Sequence, residues 1–498
     1  MAPKALTNLP SEIRQQIFRE CLQVDGGYVY DVQTDKLTNA DGTAIDLSLL
    51  YTCRSIANDT RAMPLAVNTI QFSTVFRQDW CNLAGCFALA ATTHYVLEQD
   101  FVFHLAKFIT PEMFTELESI CPGFQQLLEF ELVEHNRWIH ENNDPGYYFQ
   151  TVKFRPAVCS MERVAHMMEL FEIGPFVWEL PATWYYTPRS FYDQVVEGAP
   201  QDRRSPEFEK PDNLLEHFTS RCREKLRFSA TAAAIRFIKR LTISQRKQMR
   251  RIVLHEDLPS VNLPSRHTQG LIPFLKENHM LRVERRASVF GCVTSQRPHS
   301  IIAYMDSDED IPLPTEIANR EFEASIYYWL LDAFAVADSG VSTNCFTFVL
   351  EAGQHRDYCA DLFQKVIQTE ISKSKAWKIC LDTGLLAPLR QSTRDRNATR
   401  FAKDPRFEKL IDQLANQTSN LWCDFNPGAP LDVDALVEDA KVKHGETISD
   451  KWVSKSDFDV IPLPYDLYHD TMVAPNFEFQ TRQEYIESRG VNDNAEDS

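Results

Sequence analysis

Three runs in this chain carry side chains of the kind that catalysis or metal binding needs. His255-Glu256-Asp257 could work as a general acid and base. It directly follows the apolar run Ile252-Val253-Leu254, so we read it as the loop at the end of a strand. His140-Glu141 starts like the helix of a zinc protease, but no second His follows one turn later. His135 and His140 are five residues apart and do not align on one helix face. Asp306-x-Asp308-x-Asp310 opens like a calcium loop, yet Ile311 stands where the turning Gly is needed and Ile317 where the closing Glu is needed. The same template counted from Leu37 puts Gly42 sixth but ends on Ser48. No phosphate loop, dinucleotide fingerprint or serine elbow occurs. The 12 cysteines include no C-x2-C pair, which favours reduced, buried thiols over a zinc site or disulfide frame. These residues lead us to expect no catalytic site, no cofactor and no metal.

Charge offers a second kind of chemistry. The chain is acidic overall, at −18, but His217 to Ser300 holds 17 Lys+Arg against 5 Asp+Glu, a net of +12, so the remainder sums to −30. Arg246-Lys247, Arg250-Arg251 and Arg285-Arg286 concentrate the positive charge. A basic groove could track phosphates, but aromatics for base stacking are sparse in this segment and the rest of the chain repels nucleic acid. We therefore expect part of the charge to pair within the fold. The six residues named would then form a surface for an acidic protein partner, with nucleic acid as the less favoured reading.

The elements that position these groups follow from periodicity. Ala230–Leu241 reads as a helix with Ala234, Phe237, Ile238 and Leu241 on one side. Ile252–Leu254 reads as a buried strand, Leu281–Val293 as an alternating strand and Cys345–Leu350 as another. Glu321–Val336 and Tyr358–Ile371 are helical, and Met113, Leu117 and Ile120 repeat helically after Thr110-Pro111. Met161, Val164, Met167, Met168 and Phe171 form a further apolar stripe, and Gly198–Pro211 reads as an exposed loop. No 20–30-residue repeat is visible, so a leucine-rich solenoid is not expected. The longest apolar stretch, Tyr327–Ala337, is interrupted by Asp332 and falls well short of the ~20 residues that cross a bilayer. The first 20 residues lack a secretory pattern, so we expect a cytoplasmic or nuclear protein without membrane contact.

The N-terminus has its own pattern. Leu9-Pro10-x-Glu12-Ile13 starts a short amphipathic helix whose apolar stripe is Ile13, Ile17, Phe18, Cys21 and Leu22. A second helix is expected after Asp46, with Leu49, Leu50, Cys53, Ile56 and Ala57 on one face. Asn68–Phe72 reads as a short strand, and Gly26–Ile45 as an inserted β-hairpin turning at Asp41-Gly42.

These residues resemble an F-box. Leu9-Pro10-x-Glu12-Ile13-x3-Ile17-Phe18-x3-Leu22, Leu47-x-Leu49-Leu50-x2-Cys53-Arg54 and Asn68-Thr69-Ile70-x-Phe72 are similar to the F-box-like domains of fungal proteins. The resemblance implies docking on the Skp-type adaptor of a cullin-RING ubiquitin ligase, with the rest of the chain capturing an unknown protein substrate. Carried over by position, the docking set is Leu9, Pro10, Ile13, Ile17, Phe18, Leu22, Leu47, Leu50 and Cys53. The hairpin makes the spacing longer than in a standard F-box, and one that folded back on the helices would block docking. The expected architecture is α+β and helix-rich: an F-box-like module over 1–76, a mixed body over 77–487 and a disordered acidic tail over 488–498. A scaffold with a degenerate module is the alternative function.

Overall fold

A computed structural model describes residues 9–77, 79–80, 84, 108–120, 222–261, 264–294, 316–385, 405–444 and 460–479. The His135/His140 pair, the Met161 stripe, the Gly198–Pro211 loop, the Asp306–Asp310 run and the tail lie outside them. The strands are β1 (Tyr28–Asp31), β2 (Lys36–Asn39), β3 (Thr69–Ser73), β4 (Cys222–Glu224), β5 (Arg251–Glu256), β6 (Arg282–Ser288), β7 (Glu316–Ala318), β8 (Phe346–Glu351), β9 (Leu421–Cys423), β10 (Val460–Pro462) and β11 (Phe477–Phe479). The helices used below are α1 (Ser11–Leu22), α2 (Arg54–Thr60), α3 (Met63–Val67), α4 (Pro111–Ile120), α5 (Ala230–Arg240), α6 (Ile243–Gln248), α7 (Ile272–Glu277) and α8 (Asn319–Asp338). Helix and sheet are mixed, as expected.

Seven strands form one sheet in the order β2-β1-β3-β5-β6-β8-β9. β2 runs antiparallel to β1, and every other pairing is parallel. From β1 onward the parallel strands are added in chain order, always on the same side of the preceding strand. Crossovers of one hand then stack their helices on one face of the sheet. The burial pattern agrees. Ile70 and Phe72, Ile252 and Leu254, Val283 and Ala287, and Phe346, Phe348 and Leu350 are buried in one cluster with Ala233, Ala234 and Ile238 of α5 and Phe322, Ile326 and Leu330 of α8. The alternate residues, among them Gln71, Arg251, His255, Glu284 and Arg286, remain partly or fully exposed on the other face. This winding is that of a solenoid, which the sequence reading set aside. Equivalent strand positions fall at Thr69, Arg251 and Arg282 in paired register, so their spacing has no fixed period.

Three local expectations are corrected. The hairpin turns over Val32–Asp35, where Asp35 takes a left-handed φ of 57°, and the Asp31 carboxylate accepts the Gln33 and Thr34 backbone N–H groups. Asp41-Gly42 makes a separate turn after β2, with Asp41 accepting from the Thr43 N–H. The single helix expected after Asp46 is split. Asp46 does accept from the Ser48 N–H, but the 3-10 turn Ser48–Tyr51 ends before Cys53, whose extended backbone starts α2 afresh. The expected boundary at 76 also cuts through paired strands, because β3 joins β5 through five residue pairs in parallel register.

The hairpin is locked onto the body. Asp35 bonds Arg236 and Arg240 of α5 and accepts from the Tyr30 hydroxyl at 2.5 Å. Burial alone would raise the Asp35 carboxyl, but its bonds to Arg236, Tyr30 and Arg240 outweigh that and hold it at about 2.

The most deeply set polar group is Arg285 of β6, at 0% exposure. Its five N–H groups meet five acceptor contacts: two on Glu256 Oε1 at 3.0 and 3.2 Å, and one each on Asp332 Oδ2 at 2.9 Å, the Pro264 carbonyl at 2.7 Å and the Thr268 hydroxyl at 2.5 Å. The guanidinium also lies 4.4 Å from the centre of the Trp329 ring. Glu256 in turn accepts the Ala230 and Thr231 N–H groups at the start of α5, donors that no carbonyl of that helix can reach. Burial pushes Glu256 upward, but Arg285 and these donors hold it below the usual carboxylate range. Asp332 has fewer partners, and burial raises it to about 6 against the pull of Arg285.

Two outcomes follow from these ion pairs. Arg285→Met leaves two buried carboxylates without their cation and lowers stability by about 3–5 kcal/mol. Arg286→Met, one position along and half-exposed, costs less than about 1 kcal/mol; urea midpoints of the two variants check the contrast. Asp35 has a folded value near 2 against 3.8 for the free side chain. Its contribution is complete above the unfolded value and is lost as pH falls from about 4 to 2. Amide exchange in β1 and β2 should accelerate over that window, and Asp35→Asn should remove the dependence.

Candidate functional site

The open face of the sheet carries a cleft of about 440 Å³ between the loop after α1 and strands β3, β5 and β6. One wall is the turn Val24–Gly27. Its closeness to β3 is set by Gly27, which sits at φ +72° with the Thr69 carbonyl oxygen where a Cβ would go. Asn68, buried, ties the same wall together: its amide donates to the Leu22 and Pro64 carbonyls and its oxygen accepts from the Val24 N–H. Gln71 donates to the Gly26 carbonyl at 2.6 Å and faces His255 Nε2 at 3.3 Å.

The floor follows from register. Arg251 pairs with Arg282, Val253 with Glu284 and His255 with Arg286, so all six share the open face. Glu284 lies between the arginines, with Oε2 3.1 Å from Arg251 Nη2 and Oε1 2.6 Å from Arg286 Nε. Arg286 also reaches Glu351 of β8 at 2.5 Å. Arg282 uses Nη1 on the His279 and Leu281 carbonyls and the Cys345 thiol. Burial would raise the Glu284 carboxyl, but Arg286 and Arg251 hold it below its ordinary range, so it stays ionised at neutral pH. The cleft therefore offers guanidinium groups, a carboxylate, an imidazole and amides. Such a set suits binding of a charged polar ligand.

The His255-Glu256-Asp257 run does not form an acid–base cluster. His255 and Glu256 belong to β5 and point to opposite faces, while Asp257 accepts from the Thr74 N–H. The thiols of Cys292, Cys359 and Cys423 are pushed upward, chiefly by burial. Among the described residues, no three His, Cys, Asp or Glu side chains converge as metal ligands.

The expected basic set is scattered. Arg246 pairs with Glu277 of α7 through two bonds of 2.8 and 2.9 Å. Lys247 is exposed, and Arg250 turns its guanidinium onto the Lys247 and Met249 carbonyls. Arg251 and Arg286 line the cleft. Arg285 is corrected from surface to core: along a strand, neighbours point to opposite faces, so Arg285 and Arg286 cannot form one patch. Arg282 and Glu284 were missed, although the alternation read over Leu281–Val293 already placed them with Arg286.

The expected docking set also divides. Phe18 and Leu22 are buried, whereas Leu9, Ile17, Leu47 and Leu50 are half-buried and Pro10 and Cys53 exposed. Ile13 is 46% exposed, and the neighbouring Tyr51 is 83% exposed. Arg14 of α1 reaches Asp59 of α2 at 3.0 and 3.2 Å, which holds the two helices together. With the hairpin paired into the sheet edge, Ile13 and Tyr51 remain uncovered.

Compared with protein-family models, with curated proteins and with solved structures, the chain matches none.

The cleft wall yields a prediction. Gly27→Ala sets a methyl against the Thr69 carbonyl at a left-handed φ and should cost more than the roughly 1 kcal/mol of conformational strain alone. Gly42→Ala, at φ +82° with open space around it, should show only the strain. Denaturant titration of both variants measures the difference.

Proposed function

We propose that the chain is a non-enzymatic receptor of a cullin-RING ubiquitin ligase. Its F-box-like N-terminal helices dock a Skp-type adaptor, and the open sheet face captures a protein substrate. The observation that carries this reading is the display of apolar side chains at the N-terminus. Ile13 and Tyr51 are exposed beside half-buried Ile17, Leu47 and Leu50, at the positions where the F-box pattern has its docking residues. Apolar groups gathered on one helical surface suit a helix-in-groove contact. Phe18 and Leu22, also in the pattern, serve the packing of the chain itself.

The test uses the full chain, because β3 pairs with strands far along the sequence. Titrated with a Skp-type adaptor, it should bind. Ile13→Asp, which changes an exposed residue and leaves the core intact, should weaken binding at least about tenfold, since a carboxylate in an apolar groove has no partner. A folded full-length chain that shows no binding to the adaptor overturns the proposal.

A further inference from the structure

We infer that the open-face cleft takes an acidic peptide segment, whose carboxylates replace Glu284 as partners of Arg251 and Arg286 and add Arg282. This deepens the receptor reading by naming the chemistry of the captured segment, and it rests on that reading only for the identity of the machinery around it.

Three features carry the inference. First, the cleft is over-supplied with cations. Arg251, Arg282 and Arg286 occupy adjacent positions on two paired strands, and the carboxylates bonded to them are Glu284 and Glu351. Second, the guanidiniums keep free donor edges. Arg251 is 58% exposed and engages Glu284 through Nη2, while Arg282 is exposed and engages carbonyls and a thiol through Nη1. A carboxylate arriving from outside can meet a guanidinium edge with two parallel bonds, the strongest geometry this pair forms. Third, the walls supply neutral polar groups. Gln71 and the Gly26-Gly27 backbone suit the peptide groups between acidic side chains. No Phe, Tyr or Trp lines the cleft, so the stacking platforms that hold single-stranded nucleic acid are not part of it.

Glu284 acts as an internal competitor. It occupies Arg251 and Arg286 in the empty cleft and must give them up when the peptide binds. Neutralising it should therefore strengthen binding, an effect that a merely structural role for these residues does not produce.

The experiment is fluorescence anisotropy on the full-length chain at roughly 0.15 M salt. The probe is a fluorescein-labelled peptide of alternating Glu and Gly, with Gln/Gly and Lys/Gly peptides and a single-stranded DNA of matching charge as comparators. The Glu peptide should bind saturably and more tightly than all three comparators. Arg251→Gln combined with Arg282→Gln should weaken it about tenfold, and Glu284→Gln should tighten it several-fold. Absence of saturable binding overturns the inference. So does DNA binding that equals or exceeds the peptide, or a Glu284→Gln variant that binds no tighter. Adaptor titration of the same preparations separates the two proposals. Loss of adaptor binding with peptide binding intact sinks the ligase reading alone, and the converse sinks the cleft alone.

Discussion

The buried guanidinium of Arg285 is the constraint on which the open face depends. A charge with no exposure is tolerated because all its donors have acceptors and two carboxylates oppose it. That requirement fixes the register of β6. If β6 slipped by one residue, Arg285 would turn outward, Glu284 or Arg286 would enter the core, and Glu256 and Asp332 would lose their cation. The same residue reaches α5 through Glu256 and α8 directly through Asp332, so the layer of helices and the sheet are aligned by one side chain. The outward direction of Glu284 and Arg286 follows from that inward anchor.

Winding in a single direction explains why such a face exists. Parallel sheets are usually covered on both sides, because their crossovers place helices on both faces. Here the strands are added in chain order, and the buried residues of every strand in the sheet's centre fall on the face that packs against α5 and α8. The opposite face need not be apolar. It carries Arg251, His255, Glu284 and Arg286 in place of the Val and Ile that a second helical layer would demand.

Much of the layout was legible in the residues. The strands at 69–73, 251–256 and 346–351 and the helices at 230–240 and 319–338 stand where periodicity put them, because each combines a clear repeat with a cap or a bounded length. Thr110 does cap α4, through its hydroxyl and the Met113 N–H. The cleft was harder to see. Its parts come from residues 26, 71, 251, 282 and 286, brought together by parallel pairings whose register no local signal specifies. Charge was read by proximity in sequence, which groups Arg285 with Arg286, whereas a strand separates neighbours and groups alternate residues. The split after Tyr51 was missed because the apolar spacing of Leu49, Leu50, Cys53 and Ile56 continues smoothly through an extended Cys53.

The pairing of β3 with β5 has a consequence for how the two ends of the molecule communicate. A docking module joined by a flexible linker would leave the distance and angle between adaptor and captured protein undetermined. In this chain α1 leads into the cleft wall at Val24–Gly27, Asn68 clasps the end of α1 to the end of α3, and β3 leaves that clasp to hydrogen-bond along β5. The surface bearing Ile13 and Tyr51 is thus separated from the arginine cleft by a helix, a buried asparagine and a strand. None of these is a free hinge. A partner held on one surface has its orientation toward the other fixed by the sheet itself, and transfer chemistry between two bound proteins requires that geometric control.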